Sequence, residues 1–101
     1  HYDFLVENGT DCLTWKFLKL PSLNQAPIEI FKQPNHRLVW LSRIEHELSE
    51  NRGFVKRIDH GMFKKVSNKL DSEYCRFILD GELLNGLFEI SGNSCRLSKN
   101  Y

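Results

Sequence analysis

Near its start the sequence reads YDFLVE (residues 2–7), NGTD (8–11) and CLTWKFL (12–18), and this stretch decides the fold. Aromatic and branched residues fill both outer runs, which is typical of β-strands, and the Asn-Gly dipeptide between them favours a tight turn. Because side chains alternate along a strand, Phe4 and Val6 are expected on one face and Asp3 and Leu5 on the other. The stretch therefore predicts an antiparallel hairpin with one apolar face.

The same pattern continues along the chain, where short runs of aromatic and branched residues alternate with turns rich in Gly, Asn and Asp. We expect strands or strand candidates at 28–31, 38–41, 53–58, 62–66, 73–79, 82–84, 87–91 and 94–97, with a turn at Pro34-Asn35-His36. Residues 42–51 have the composition of about two helical turns but lack a sustained apolar stripe. With no helix long enough to cover a sheet, the chain is predicted to be all-β: a small closed or nearly closed β-barrel of about eight short antiparallel strands.

Length and composition limit the architecture to one domain spanning residues 1–101. The chain has 101 residues, of which 41% are hydrophobic and 27% are charged, so we expect one packed core and no second domain. No apolar run approaches the roughly 20 residues that cross a bilayer, and we expect no leader segment. A soluble, cytoplasmic monomer without membrane contact is therefore expected.

The three cysteines, Cys12, Cys75 and Cys95, are odd in number and widely spaced. They form no Cys-x-x-Cys pair, so the sequence indicates neither a disulfide framework nor a sulfur-ligated zinc site. Reduced, partly buried thiols are expected instead.

Net charge is only +1, but the basic residues are unevenly distributed. Residues 52–69 carry a single acid, Asp59, against six basic residues: Arg52, Lys56, Arg57, Lys64, Lys65 and Lys69. Such a segment suits a phosphate-facing patch that holds a nucleic-acid backbone. Without further information, the favoured interpretation is a solvated hairpin whose lysines keep a sheet edge unpaired.

The residues best suited to chemistry are histidines and one carboxylate. His1 and Asp3 lie two apart on a predicted strand, so their side chains share a face and resemble the start of a site for Mn²⁺ or Zn²⁺. The competing interpretation is a pair of polar side chains on a solvated face. His36 follows a predicted turn, where a scaffold can present it to a ligand, whereas His46 and His60 are expected to be surface and turn residues. No serine elbow, P-loop or dinucleotide motif is present.

Five stretches together resemble one protein family. They are HYDFLVENG (1–9), TWK (14–16), NHRLVW (35–40), NRGFVKRIDHG (51–61) and FILDGELLNGLF (77–88). In this order and spacing they are similar to the 3′-phosphoesterase domain of bacterial ligase D, and most of all to its small free-standing relatives. The resemblance extends over nearly the whole chain.

The resemblance implies a small β-barrel that binds Mn²⁺, or another divalent metal such as Zn²⁺, and trims the 3′ ends of DNA or RNA during end processing and DNA repair. It implies that His1 and Asp3 are metal ligands, together with a histidine that the family carries a few residues upstream. It further implies that His36 holds the scissile phosphate and that Lys19 lies nearby. A separate ligase or polymerase would then act on the trimmed end.

Three positions depart from the family pattern. Leu5 replaces an arginine, Trp40 replaces a tyrosine, and Asn35 replaces an aspartate. Loss of the arginine removes a charge-assisted phosphate contact. Two alternatives to an active phosphoesterase therefore stay open: a non-catalytic nucleic-acid-binding or accessory β-barrel, and a structural or protein-interaction module with incidental histidines.

Overall fold

A computed structural model describes residues 1–48, 53–66 and 73–99 of the chain. Nine strands are present in these residues: β1 (Tyr2–Asn8), β2 (Asp11–Phe17), β3 (Ile28–Arg37), β4 (Glu45–Glu47), β5 (Phe54–Lys56), β6 (Gly61–Lys65), β7 (Tyr74–Gly81), β8 (Asn85–Ser91) and β9 (Ser94–Ser98). Seven form one antiparallel sheet in the order β1-β2-β3-β9-β8-β7-β6, which curves into a half-barrel, and β4 and β5 form a small second sheet. The prediction of an all-β, barrel-like fold of short antiparallel strands is confirmed, with the large sheet curved into a half-barrel.

The opening hairpin forms as its sequence predicts. β1 and β2 pair over their full lengths, from Tyr2 opposite Phe17 to Asn8 opposite Asp11. The turn consists of Gly9 and Thr10, and Gly9 has a φ of +70°, in the left-handed region that glycine adopts without steric cost. The hairpin is therefore determined by residues close together in sequence, namely the two strands and the glycine in their turn.

Three of the strand and turn predictions were wrong. Residues 28–37 form one strand instead of two segments broken by a turn, because a bulge absorbs Pro34 and Asn35 between the pairs Thr14–Gln33 and Cys12–His36. A bulge tolerates proline, which has no N–H to donate to the ladder. Residues 38–42 form a short 3₁₀ helix, and 82–84 form a turn, so neither is a strand.

The helix considered for residues 42–51 is also absent from the described part of that segment, where 45–47 form β4. Pairing with β5 decides this outcome, because backbone hydrogen bonds between the two short strands replace those of a helix. Residues 49–51 lie outside the described part.

The core fills the concave side of the half-barrel. Inward-pointing side chains of the strands form this core. The ring of Phe4 on β1 packs on the ring of Phe88 on β8, with centroids 5.0 Å apart, and so connects distant strands of the sheet. The buried cluster consists of Val6, Leu13, Trp15, Phe17, Ile28, Ile30, Cys75, Phe77, Leu79, Leu84, Phe88, Ile90, Cys95 and Leu97. No helix in the described part of the chain has the length and apolarity to span a bilayer.

The cysteines are buried, and none of them is in a disulfide. Burial raises the pKa of the Cys95 thiol to about 12, and burial followed by the charge of Asp11 raises that of Cys12. Because only the thiolate is nucleophilic, we expect the native protein at pH 8 to react with a thiol reagent at least about 100-fold more slowly than the unfolded chain. Titration with Ellman's reagent, with and without denaturant, measures this, and rapid labelling of the native protein would contradict the buried placement.

Candidate functional site

An open groove lies against the outer edges of the half-barrel. It has a volume of about 1080 Å³ and is lined by β1 and β6, the two edge strands of the large sheet, and by the small sheet of β4 and β5. All four histidines of the chain, His1, His36, His46 and His60, line this groove. Residues far apart in sequence thus share one surface, which we take as the candidate site.

His1 and Asp3 lie side by side at one place in the groove. Asp3 lies on β1 and His1 directly precedes that strand, and His1 Nε2 lies 3.5 Å from Asp3 Oδ1. Two neighbouring ligands of one metal ion, each bound at about 2.1 Å, are separated by about 3.0 to 3.5 Å, so the pair fits two adjacent coordination positions. Within residues 1–48, 53–66 and 73–99 no third His, Cys, Asp or Glu joins them to complete a metal-binding group.

His36 lines the same groove but lies farther along the sheet. Asp3 pairs with Lys16, whereas Glu7 pairs with Cys12, and Cys12 in turn pairs with His36. Glu7 is therefore at the same level of the sheet as His36. Glu7 lies four residues beyond Asp3, which is about 13 Å along β1 at about 3.3 Å per residue. His36 is also two strands away from β1, so it is too far from the His1–Asp3 pair to hold a phosphate bound there, contrary to what the resemblance implies.

The bulge in β3 orients the His36 ring. Its Nδ1 lies 3.0 Å from the carbonyl oxygen of Pro34, a contact in which Nδ1–H donates to the oxygen. This hydrogen bond leaves Nε2 available for a ligand in the groove. His36 was predicted to follow a turn, but it lies within β3, and the bulge before it brings Nδ1 to the Pro34 carbonyl.

The remaining candidate cations are divided between the groove and other surfaces. Lys56 and Arg57 line the groove, and the Arg57 guanidinium also donates to the Leu41 carbonyl at 2.8 Å, which ties β5 to the 3₁₀ helix. Lys19 is exposed just after β2, beyond the groove lining, which does include its neighbour Leu20. Of the other predicted nucleic-acid contacts, Lys64 and Lys65 are exposed on edge strand β6 outside the lining, and Arg52 lies outside the described residues.

Trp40 is held in an aromatic and cationic cluster beside the groove. The guanidinium carbon of Arg43 lies 4.5 Å from the centroid of the Trp40 ring, within the range of a cation–π contact. The His46 ring meets the same indole edge-on, with centroids 5.3 Å apart. These contacts place His46 in the groove wall, where the sequence predicted only a surface histidine.

Asp59 fixes the end of the groove through four hydrogen bonds that sequence reasoning missed. Its Oδ1 accepts the backbone N–H groups of His60 at 2.8 Å and Glu82 at 2.7 Å. Its Oδ2 accepts those of Leu83 at 3.0 Å and Leu84 at 2.8 Å. We call this arrangement the Asp59 clamp, and it holds the β5–β6 connection against the β7–β8 turn with the His60 side chain exposed in the groove.

The clamp changes the acidity of Asp59. Burial acts to raise the pKa of the carboxyl, but the four backbone hydrogen bonds outweigh it and hold the pKa below its ordinary value. The Asp-His-Gly tripeptide was interpreted as a turn, and an aspartate that bonds nearby backbone is typical of turns. Three of its four donors are more than twenty residues away, and no local pattern reveals them.

No protein-family model, curated protein or solved structure matches the chain. A function can therefore be inferred only from the side chains that line the groove. It brings together the His1–Asp3 pair, His36, Lys56 and Arg57, while Lys19, Lys64 and Lys65 lie outside its lining.

Proposed function

We propose that this protein is a metal-dependent phosphoesterase that acts on the 3′ ends of DNA or RNA in end processing or repair. The observation that carries the proposal is the His1–Asp3 pair, spaced at 3.5 Å in a groove that also holds His36 and Lys56. The resemblance to the 3′-phosphoesterase domain of bacterial ligase D supports it, since His1, Asp3 and His36 correspond to functional positions of that family.

A nitrogen and an oxygen donor side by side suit Mn²⁺ or a similar divalent cation, which accepts mixed ligands and keeps positions for water and substrate oxygens. Such a cation, when bound, neutralises phosphate oxygens and lowers the pKa of a bound water. The contribution of the chain is to hold that position through His1 and Asp3. The strand geometry fixes both side chains on one face before any ligand arrives.

The other groove residues are assigned to the nucleic acid. His36 can hydrogen-bond a phosphate oxygen of the same strand end through Nε2, and Lys56 can pair with the backbone charge. Because Asp3 and the level of His36 are about 13 Å apart along β1, and the two residues lie on strands two positions apart, His36 would contact a backbone phosphate upstream of the terminal one. A free inorganic phosphate or a small phosphomonoester is too short to make both contacts.

The second candidate function is a nucleic-acid-binding accessory barrel without catalysis. Two observations favour it. Among the described residues, His1 and Asp3 have no third metal donor beside them, and Leu5 stands where the ligase D family carries a phosphate-binding arginine. This alternative predicts binding that weakens with salt and is unaffected by EDTA.

A hydrolysis assay separates the two functions. We expect the protein with Mn²⁺ to release phosphate from a 3′-phosphorylated oligonucleotide, and EDTA to abolish the release. The matched substrate control is the same oligonucleotide phosphorylated at its 5′ end, which should stay intact. Binding of the oligonucleotide with no phosphate release at high protein concentration would support the accessory barrel and rule out the phosphoesterase.

A further inference from the structure

Large apolar side chains remain exposed along one side of the groove. Met62 is 77% exposed, Ile44 63%, Phe54 61% and Ile58 48%, and all four line the groove. We call this set the apolar rim. Single exposed apolar residues are ordinary on protein surfaces, but a group of them around a concave site indicates a binding surface.

The apolar rim lies beside the cationic groups of the groove. Phe54 and Lys56 are two residues apart on β5, so their side chains project on the same face about 7 Å apart. On β4, Glu45 lies opposite Lys56 and Glu47 lies opposite Phe54, so this face carries acidic side chains beside its cation. Contact with an apolar group must therefore supply much of the binding on this side of the groove.

A nucleotide carries both features that this surface can bind, an anionic phosphate and a flat apolar base. Aromatic side chains stack most readily on unpaired bases, because in a duplex neighbours cover both faces of every base except those of the terminal pair. Phe54 offers an exposed ring, and Met62 offers a flexible, polarizable side chain for such a contact.

We propose that the apolar rim binds unpaired nucleobases, so that the substrate is a single-stranded or frayed 3′ end and not a blunt duplex. This inference rests on the proposed function, since it names the form of the nucleic acid that the same groove receives. It adds a base-binding role for Phe54 and Met62.

Fluorescence anisotropy with a labelled, 3′-phosphorylated oligonucleotide in EDTA tests this inference without any hydrolysis. We expect the single strand to bind at least about tenfold more tightly than a blunt hairpin of matched length. Phe54→Ala and Met62→Ala should each weaken single-strand binding by about tenfold, the order expected for loss of a stacked base. Both side chains are mostly exposed, so folding should be unchanged, which circular dichroism can verify.

Two control variants remove similarly exposed apolar side chains outside the groove lining. Tyr74 is 54% exposed and Leu18 is 63% exposed, and their replacement by Ala should change binding less than twofold. Equal or tighter binding of the blunt hairpin, or unchanged binding by both rim variants, would overturn the inference while leaving the proposed function intact. Absence of binding to either nucleic acid would reject both. Rim-dependent binding without hydrolysis of the 3′ phosphate would uphold the base-binding site and reject the phosphoesterase.

Discussion

Replacement of Asp59 by Asn is expected to lower the free energy of unfolding by about 3 kcal/mol at pH 7. The carboxylate accepts four backbone N–H groups, two on each oxygen. An amide keeps one acceptor oxygen and turns an NH₂ group toward the other two donors, so at least two charge-assisted hydrogen bonds are lost. Urea denaturation of the two proteins measures the difference.

Asp80→Asn is the matched control for this substitution. Asp80 is exposed near the end of β7 and also lines the groove, but it takes no part in the Asp59 clamp. Its replacement should change stability by less than about 0.5 kcal/mol. An equal effect of the two substitutions would show that charge in this region, and not the clamp, determines stability.

The clamp also predicts how stability depends on pH. The pKa of Asp59 in the folded protein lies below its ordinary value of 3.8, so the carboxylate stabilises the fold fully above that value. This contribution is lost as the pH falls through the lower folded-state pKa. The stability difference between wild type and Asp59→Asn should therefore be constant from pH 5 to 7 and shrink below about pH 4. A difference that stays constant down to pH 2 would contradict the role of the ionised carboxylate.

Replacement of Asp3 by Asn is expected to reduce Mn²⁺-dependent phosphate release by at least about 100-fold, since metal-site and transition-state charge contacts each contribute several kcal/mol. The side chain keeps its shape but loses the negative charge that, in the proposed function, would hold a divalent cation beside His1 Nε2. Because Asp3 is exposed on β1, stability should change by less than about 1 kcal/mol. Loss of activity without loss of stability distinguishes a ligand from a structural residue.

Glu29→Gln provides the control for the change in net charge. Glu29 is exposed on β3 and lies outside the groove lining. The Glu29→Gln variant should therefore have the activity and the Mn²⁺ affinity of wild type. Mn²⁺ affinity is measurable by electron paramagnetic resonance of the free ion. Equal affinity in Asp3→Asn and Glu29→Gln would mean that the His1–Asp3 pair does not bind the metal.

Much of the fold follows from local sequence patterns. The hairpin of β1 and β2 is specified by alternating apolar residues and by Gly9 in its turn, and both features act within a few residues. The strand over 28–37 was divided wrongly because Pro34 reads as a turn in isolation. Only the pairing of β3 with β2 shows that a bulge accommodates this residue.

The candidate site could be predicted only in part. The alternation of side chains along β1 was enough to put His1 and Asp3 on one face, and the structure places them 3.5 Å apart. The positions of His46 and His60 in the same groove depend on the small sheet and on the Asp59 clamp. Both arrangements join residues distant in sequence, and a single sequence gives no signal of such contacts.

In the proposed function, the His1–Asp3 pair supports hydrolysis of a 3′ phosphate in this groove. The most direct test is the rate of phosphate release from a 3′-phosphorylated single strand, measured at saturating Mn²⁺ for wild type, Asp3→Asn and Glu29→Gln. We predict release by wild type and by Glu29→Gln, and a rate at least about 100-fold lower for Asp3→Asn. Release at the same rate by all three proteins, or by none of them, would contradict it.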